Sequence, residues 1–116
     1  ETLRKALELL GDQSRFEDEI IKKPDTAAEA IQLLDEEQTA VAFRHTPTKG
    51  PECGKHFIIF SNASLFRLLK RVNMDELLFD AFKKRAVAMG LLSKKSWPVK
   101  IGDTNFSGFW IGDEKF

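Results

Sequence analysis

Tyrosine is absent, cysteine occurs once and proline four times in 116 residues. A single thiol, Cys53, excludes an internal disulfide framework and fits a reducing, cytoplasmic setting. Long apolar runs are missing as well. Runs such as Phe57-Ile58-Ile59-Phe60 and Gly90-Leu91-Leu92 fall far short of the roughly 20 residues that a membrane span needs. No signal peptide is visible, so a membrane partner is not expected. Neither a Gly-x-x-x-x-Gly-Lys-Ser/Thr phosphate loop nor a dinucleotide fingerprint occurs, which removes two common nucleotide cradles. An excess of one charge is also lacking, since 18 Lys/Arg face 18 Asp/Glu.

What is present reads as an ordinary globular domain. Hydrophobic residues make up 42% and charged residues 31%, a balance that supports a packed core rather than disorder. Ten Phe and two Trp make phenylalanine the main core filler. The length suits one domain over 1–116. The start at Glu1, without Met, suggests a piece excised from a larger protein or a processed chain. The zero net charge conceals a split. Residues 1–60 hold 8 Lys/Arg and 12 Asp/Glu, a net of −4, and residues 61–116 hold 10 and 6, a net of +4. Such asymmetry points towards a nucleic-acid or membrane contact.

Periodicity divides the chain at about residue 39. Before it, Leu3, Ala6, Leu7 and Leu10 form one apolar stripe of a short helix, with Gly11 suited to a left-handed end. Ser14 and Glu17 have capping-box spacing and predict a helix over about 15–22, stopped by Pro24. Thr26 and Glu29 repeat that spacing and open a third helix. Its end carries Asp35-Glu36-Glu37, read as a solvated terminus. From Thr39 the pattern becomes β. Residues 39–44 and 56–60 predict a hairpin around a loop of about ten residues. Ser61-Asn62 caps a short helix ending near Arg71. Val72-Asn73 makes a tight turn, and Asn73 with Glu76 starts a longer helix over about 74–89. Met74, Leu77, Leu78, Ala81, Phe82, Arg85 and Met89 trace its expected inner stripe, and Gly90 stops it. Two short strands flanking Gly102-Asp103-Thr104-Asn105 close the chain.

Helix, short turn, longer helix and then a β-hairpin is the order of a winged helix-turn-helix. The expected class is therefore α+β: a winged helix-turn-helix over 39–116, with extra N-terminal helices over 1–38 and a β-hairpin. Helix 74–89 would be the recognition helix and the loop near 102–105 the wing. His56-Phe57-Ile58-Ile59-Phe60, the helix around Leu65-Phe66, the run from Phe82 through Arg85 to Gly90-Leu91-Leu92, and the final hairpin carry a resemblance. Together they resemble the winged-helix appendages at the C-terminal end of replicative helicases and primase-helicases of plasmids, phages and integrative elements. The resemblance covers about 39–111. It implies a domain that assists a DNA-handling motor, with other domains of the parent protein as neighbours.

The candidate binding residues follow from charge. Arg67, Lys70 and Arg71 lie on the shorter helix, Lys83 and Lys84 late on the longer one, and Lys94, Lys95 and Lys100 around the wing. Lys and Arg supply most phosphate contacts. Trp97, beside Pro98, is the expected exposed aromatic that could stack an unpaired base, whereas Phe106 and Phe109 are expected to pack. Asp75, Glu76 and Asp80 sit where base contacts usually arise and would repel phosphate. Backbone or single-strand binding is thus favoured over base readout. The alternative is a protein-interaction domain using the acidic first half, or homo-oligomerisation of +4 against −4 halves.

Three residues, His45, Cys53 and His56, fall one short of the four ligands that structural zinc takes. No metal is expected there, and the bland reading is an isolated thiol with two surface histidines. No cofactor and no catalytic residues are expected, because no nucleophile, base and orienting group come together in sequence.

Overall fold

The structure, a computed structural model, describes residues 1–93 and 97–113, with the backbone alone at Trp97. It is a mixed α+β fold in three layers. Helix α1 spans Thr2–Gly11, α2 Ala27–Ile31, α3 Asn62–Leu69 and α4 Glu76–Ala88. The strands are β1 (Ile20–Ile21), β2 (Ala42–His45), β3 (Phe57–Phe60), β4 (Trp97–Ile101) and β5 (Thr104–Gly112), in sheet order β1-β2-β3-β5-β4. Only β1 and β2 run parallel; the other neighbours are antiparallel.

Period-two alternation assigns the two faces of this sheet. Ile58 and Phe60 of β3, with Phe109 and Ile111 of β5, join α1, α3 and α4 in one core that includes Leu10, Leu65, Leu68 and Phe82. Phe43, Ile59, Phe106 and Trp110 face the other way. They pack with Val99 and Ile101 of β4 beneath α2 and the single π-turn Gln32–Glu36 that extends it. Strand β5 serves both halves of the sheet. Its residues Phe109 to Gly112 pair with β3, and Thr104 to Gly108 pair with β4.

Several local expectations hold. Thr26 caps α2, its hydroxyl accepting from Glu29 N at 3.0 Å. Ser61 and Ser64 form a reciprocal capping box at α3. The 39–60 hairpin forms, and Phe106 and Phe109 are buried. Gly90 takes the left-handed conformation at φ 76°, and Gly102 does so at φ 64° in the two-residue turn between β4 and β5.

Others are corrected. Residues 15–22 are not a helix. They form parts of two 3-10 turns, Gln13–Arg15 and Glu17–Glu19, followed by β1. The Ser14 hydroxyl donates to Asp12 at 2.6 Å instead of capping, and the β-branched pair Ile20-Ile21 gains more by extending β2's edge. Gly11 stays inside α1, and Asp12 at φ −117° follows it. Asn73 does not cap α4. It sits at φ 65° in the turn, and the cap is Asp75, which accepts from Leu78 N at 2.8 Å.

The buried stripe of α4 also differs. It is Phe79, Phe82 and Ala86, while Ala81, Arg85 and Met89 are exposed and Leu77 is 88% exposed. Both stripes satisfy helical spacing and share Phe82; the difference is that the Phe79 ring goes inside in place of Leu77, and a buried ring removes more apolar area. Asp35 is not a solvated end either. It is partly buried and accepts from the Ser61 hydroxyl, at the positive N-terminus of α3.

Candidate nucleic-acid interface

The α3–α4 pair comes first, because most of the expected cations lie on it. Arg67 donates from Nη1 to Leu34 O at 2.8 Å and from Nη2 to Ala40 O. It thereby ties α3 to the π-turn and to the segment that leads into β2. Arg71 pairs with Glu19 across the 3-10 turn. Lys70 is exposed and lies 5.0 Å from the Phe66 ring centroid. Lys83 folds back. Its Nζ lies 4.4 Å from the Phe79 centroid and 5.5 Å from that of Phe109, and it donates to Asn62 Oδ1 at 3.1 Å. Lys84 points outward with Leu77, Ala81 and Ala88, all exposed.

The outer face of α4 is consequently short of free cations. Asp75, Glu76 and Asp80 crowd its first half, where a phosphate would otherwise profit from the helix N-terminus. Asp75 consumes part of that field itself as the cap.

The terminal hairpin presents a different surface. The sheet brings β4 to face the segment that leaves β2, and a cleft of about 460 Å³ lies between them. Three lysines line it: Lys23 from the segment after β1, Lys49 from the loop after β2, and Lys100 from β4. Thr46 and Thr48 add hydroxyls, and His45 and Trp110 also border it. Among the described residues no carboxylate lines this cleft. A cleft walled by one sign of charge concentrates the opposite sign.

His45 is the unusual member. It is only 8% exposed, its ring meets Trp110 edge-on at 5.8 Å, and its Nδ1 has no hydrogen-bond partner among the described residues. Burial, with Lys23 nearby, lowers its pKa from 6.5 to about 4, so the ring is neutral at physiological pH. The expectation of two surface histidines thus fails at His45 and holds at His56, which is exposed and meets Thr46 Oγ1 at 2.7 Å. His45 and His56 border a second cleft of about 340 Å³ with Arg44 and Asp113. There the Asp113 carboxylate accepts from Arg44 Nε and from Gln13 Nε2, each at 3.1 Å. Among the described residues, no group of three or more His, Cys, Asp or Glu is placed to hold a metal ion.

Of the nine residues singled out from sequence, the structure gathers Lys70 and Arg71 beside the end of α3 and sets Lys83 and Lys84 on α4. It carries Lys100 to the hairpin cleft, away from that group. Lys94 and Lys95 lie outside the described residues, as does the side chain of Trp97. Lys23 and Lys49 were not singled out. The signals were Lys22-Lys23-Pro24 and Thr46-Pro47-Thr48-Lys49, two cationic loops inside an acidic half. Only the parallel β1–β2 pairing and the placement of β4 bring them together.

No helix among the described residues is long and apolar enough to cross a membrane. Compared with family models, curated proteins and solved structures, the chain matches none.

Proposed function

We propose that the chain is a DNA-binding accessory domain of a larger DNA-processing protein, built as a winged helix and contacting mainly the phosphate backbone. The observation that carries this reading is the hairpin cleft, where Lys23, Lys49 and Lys100 meet with no lining carboxylate. The topology supports it. Strand β3, helices α3 and α4, and a hairpin whose β5 returns to β3 follow in winged-helix order. The likeness to winged-helix appendages of replicative helicases and primase-helicases fits the same picture.

The wing side, rather than α4, is the contact surface. The acidic first half of α4 and the outward Leu77 suit neither phosphate nor base edges. Fluorescence anisotropy with a labelled oligonucleotide tests this. Binding is expected at about 50 mM salt and should weaken steeply as salt rises. Lys49→Glu with Lys100→Glu should lower affinity alike for all sequences and flatten the salt dependence by about one unit per lysine lost. Absence of binding at low salt, or an unchanged slope in the double variant, refutes the reading.

One observation favours a second reading, a protein contact. Leu77 is 88% and Met89 62% exposed on α4. If α4 docks a protein partner or another copy of the chain, Leu77→Lys abolishes that association and leaves oligonucleotide binding intact. Light scattering after size exclusion reads the difference for self-association.

A further inference from the structure

We infer that the cleft between β4 and the loop after β2 is a discrete phosphate site, seating one phosphate group against Lys23, Lys49 and Lys100 with the His45 imidazole at its wall. The inference rests on the nucleic-acid reading for what bears the phosphate, a strand backbone. Free phosphate and mononucleotides carry the same chemistry and serve as probes of the site itself.

Two independent observations converge on it. The first is the charge of the cleft. Three lysines line one partly enclosed space with no carboxylate among the described lining residues. Their mutual repulsion is relieved by an anion, and in a partly enclosed cleft that relief is larger than on open surface. A phosphate oxygen accepts strong, charge-assisted bonds from ammonium groups.

The second is the histidine. A neutral imidazole always has one donor and one acceptor nitrogen, and a buried polar group without a partner is costly. His45 is more than nine-tenths buried, borders both clefts and makes no side-chain hydrogen bond with described residues. The nearby Asp113 does not serve it, since that carboxylate is held by Arg44 and Gln13. His45 Nδ1 is itself enclosed, so a phosphate in the cleft would reach the ring only through a turn of the imidazole that brings an N–H to the cleft wall.

The arrangement predicts coupling between phosphate binding and proton uptake. The groups facing His45 are Lys23 and Lys49 from the two loops, Lys100 from β4, and Arg44, His56 and Asp113 around the smaller cleft. Cations dominate this set, and they oppose protonation of the ring. A phosphate placed among them reverses the local sign, favours imidazolium, and gains a charge-assisted donor. Binding at this site should therefore strengthen as pH falls.

The test follows the His45 ring resonances of the whole chain by NMR through a pH titration. Four samples are compared: no ligand, inorganic phosphate, adenosine monophosphate, and a single-stranded oligonucleotide. Each ligand is expected to move the His45 signal and raise its midpoint from about 4 towards the ordinary 6.5. Lys49→Gln and Lys100→Gln should each weaken phosphate binding about fivefold, whereas Lys84→Gln on α4 should not. These lysines are exposed, so their variants keep the test usable if a His45→Gln variant fails to fold.

A His45 midpoint that ignores phosphate and mononucleotide, or equal weakening by Lys84→Gln, overturns the site. The two readings then separate. If the oligonucleotide is retained while His45 ignores every ligand, the phosphate site falls and nucleic-acid binding stands. If phosphate moves His45 but no oligonucleotide is retained, the nucleic-acid reading falls and the site stands.

Discussion

Gly108 is the most demanding position in the strand that joins the two halves of the sheet, and Gly108→Ala measures how tightly that joint is packed. A Cβ built there lies 2.6 Å from Ile59 Cγ2, 2.8 Å from the Phe60 carbonyl oxygen and 3.0 Å from Phe106 Cε1. The two nearest are closer than a methyl group tolerates. Ile59 is fully buried between β2 and β5, so its methyl has little room to turn away. The Phe60 oxygen is backbone in β3, next to the Phe60–Phe109 pair, and cannot move without shifting the strand. Overpacking of this kind costs about 1–3 kcal/mol, which lowers Tm by about 4–15 °C in a domain of this size. Gly112, on the same strand, has open space where its Cβ would go, so Gly112→Ala should stay within about 0.5 kcal/mol. Urea denaturation of both variants checks the pair. A Gly108→Ala protein as stable as wild type, or a Gly112→Ala protein equally damaged, refutes the claim that close approach, rather than strand propensity, demands glycine here.

Two further outcomes follow from buried polar groups. Asp113→Ala removes a carboxylate that is 1% exposed and leaves Arg44 (27% exposed) and the buried Gln13 amide without it. Allowing for Arg44's partial access to water, the loss should be about 2–4 kcal/mol by chemical denaturation, and a loss under about 1 kcal/mol rejects the network as a structural tie. His45 gives a pH dependence with a definite sign. Its folded pKa of about 4 lies below the ordinary 6.5, so the unfolded chain takes up the proton first. The stability associated with the neutral ring is complete above about pH 6.5 and is lost as pH falls from there to about 4, by at most about 3 kcal/mol. Denaturation midpoints of wild type and His45→Gln should diverge across that window, and parallel profiles contradict the buried neutral ring.

The parts of the fold that were legible were those where one local signal had no competitor. Thr26 and Ser61 cap as their spacing implies, Gly90 ends α4, and the alternation over 39–60 yields β2 and β3. The failures share a cause, which is tertiary choice among equally good local options. Ser14 and Glu17 had the right spacing for a cap, yet Ile20-Ile21 finds a strand edge that lies more than twenty residues ahead in sequence. On α4, Leu77 and Phe79 each head a helical stripe, and only the turn at Asn73 and the ring pairing of Phe66 with Phe79 decide which faces inward. The candidate site was half legible for the same reason. Lys100 is visible as a cation beside the last turn. Lys23 and Lys49 become its neighbours only through strand pairings that no local pattern encodes.

The division of charge along the chain therefore does not coincide with the division of charge in space. Read linearly, the basic second half suggests that α3 and α4 form the binding face. In the fold, Arg67 is spent on two carbonyl oxygens, Arg71 on Glu19, and Lys83 on Asn62 and two aromatic rings. Three of the basic half's cations are thus engaged within the fold, and the acidic start of α4 offsets those that remain. Meanwhile the acidic first half contributes two of the three lysines in the hairpin cleft, and among the described residues no carboxylate lines that cleft. Net charge by half is a weak guide here because long cationic side chains serve packing as readily as binding. What marks a cation as available is the absence of a competing carboxylate in the space it borders. By that criterion the proposed surface for phosphate is the hairpin cleft, and the outer face of α4, acidic in its first half and apolar at Leu77, is left for a different kind of contact.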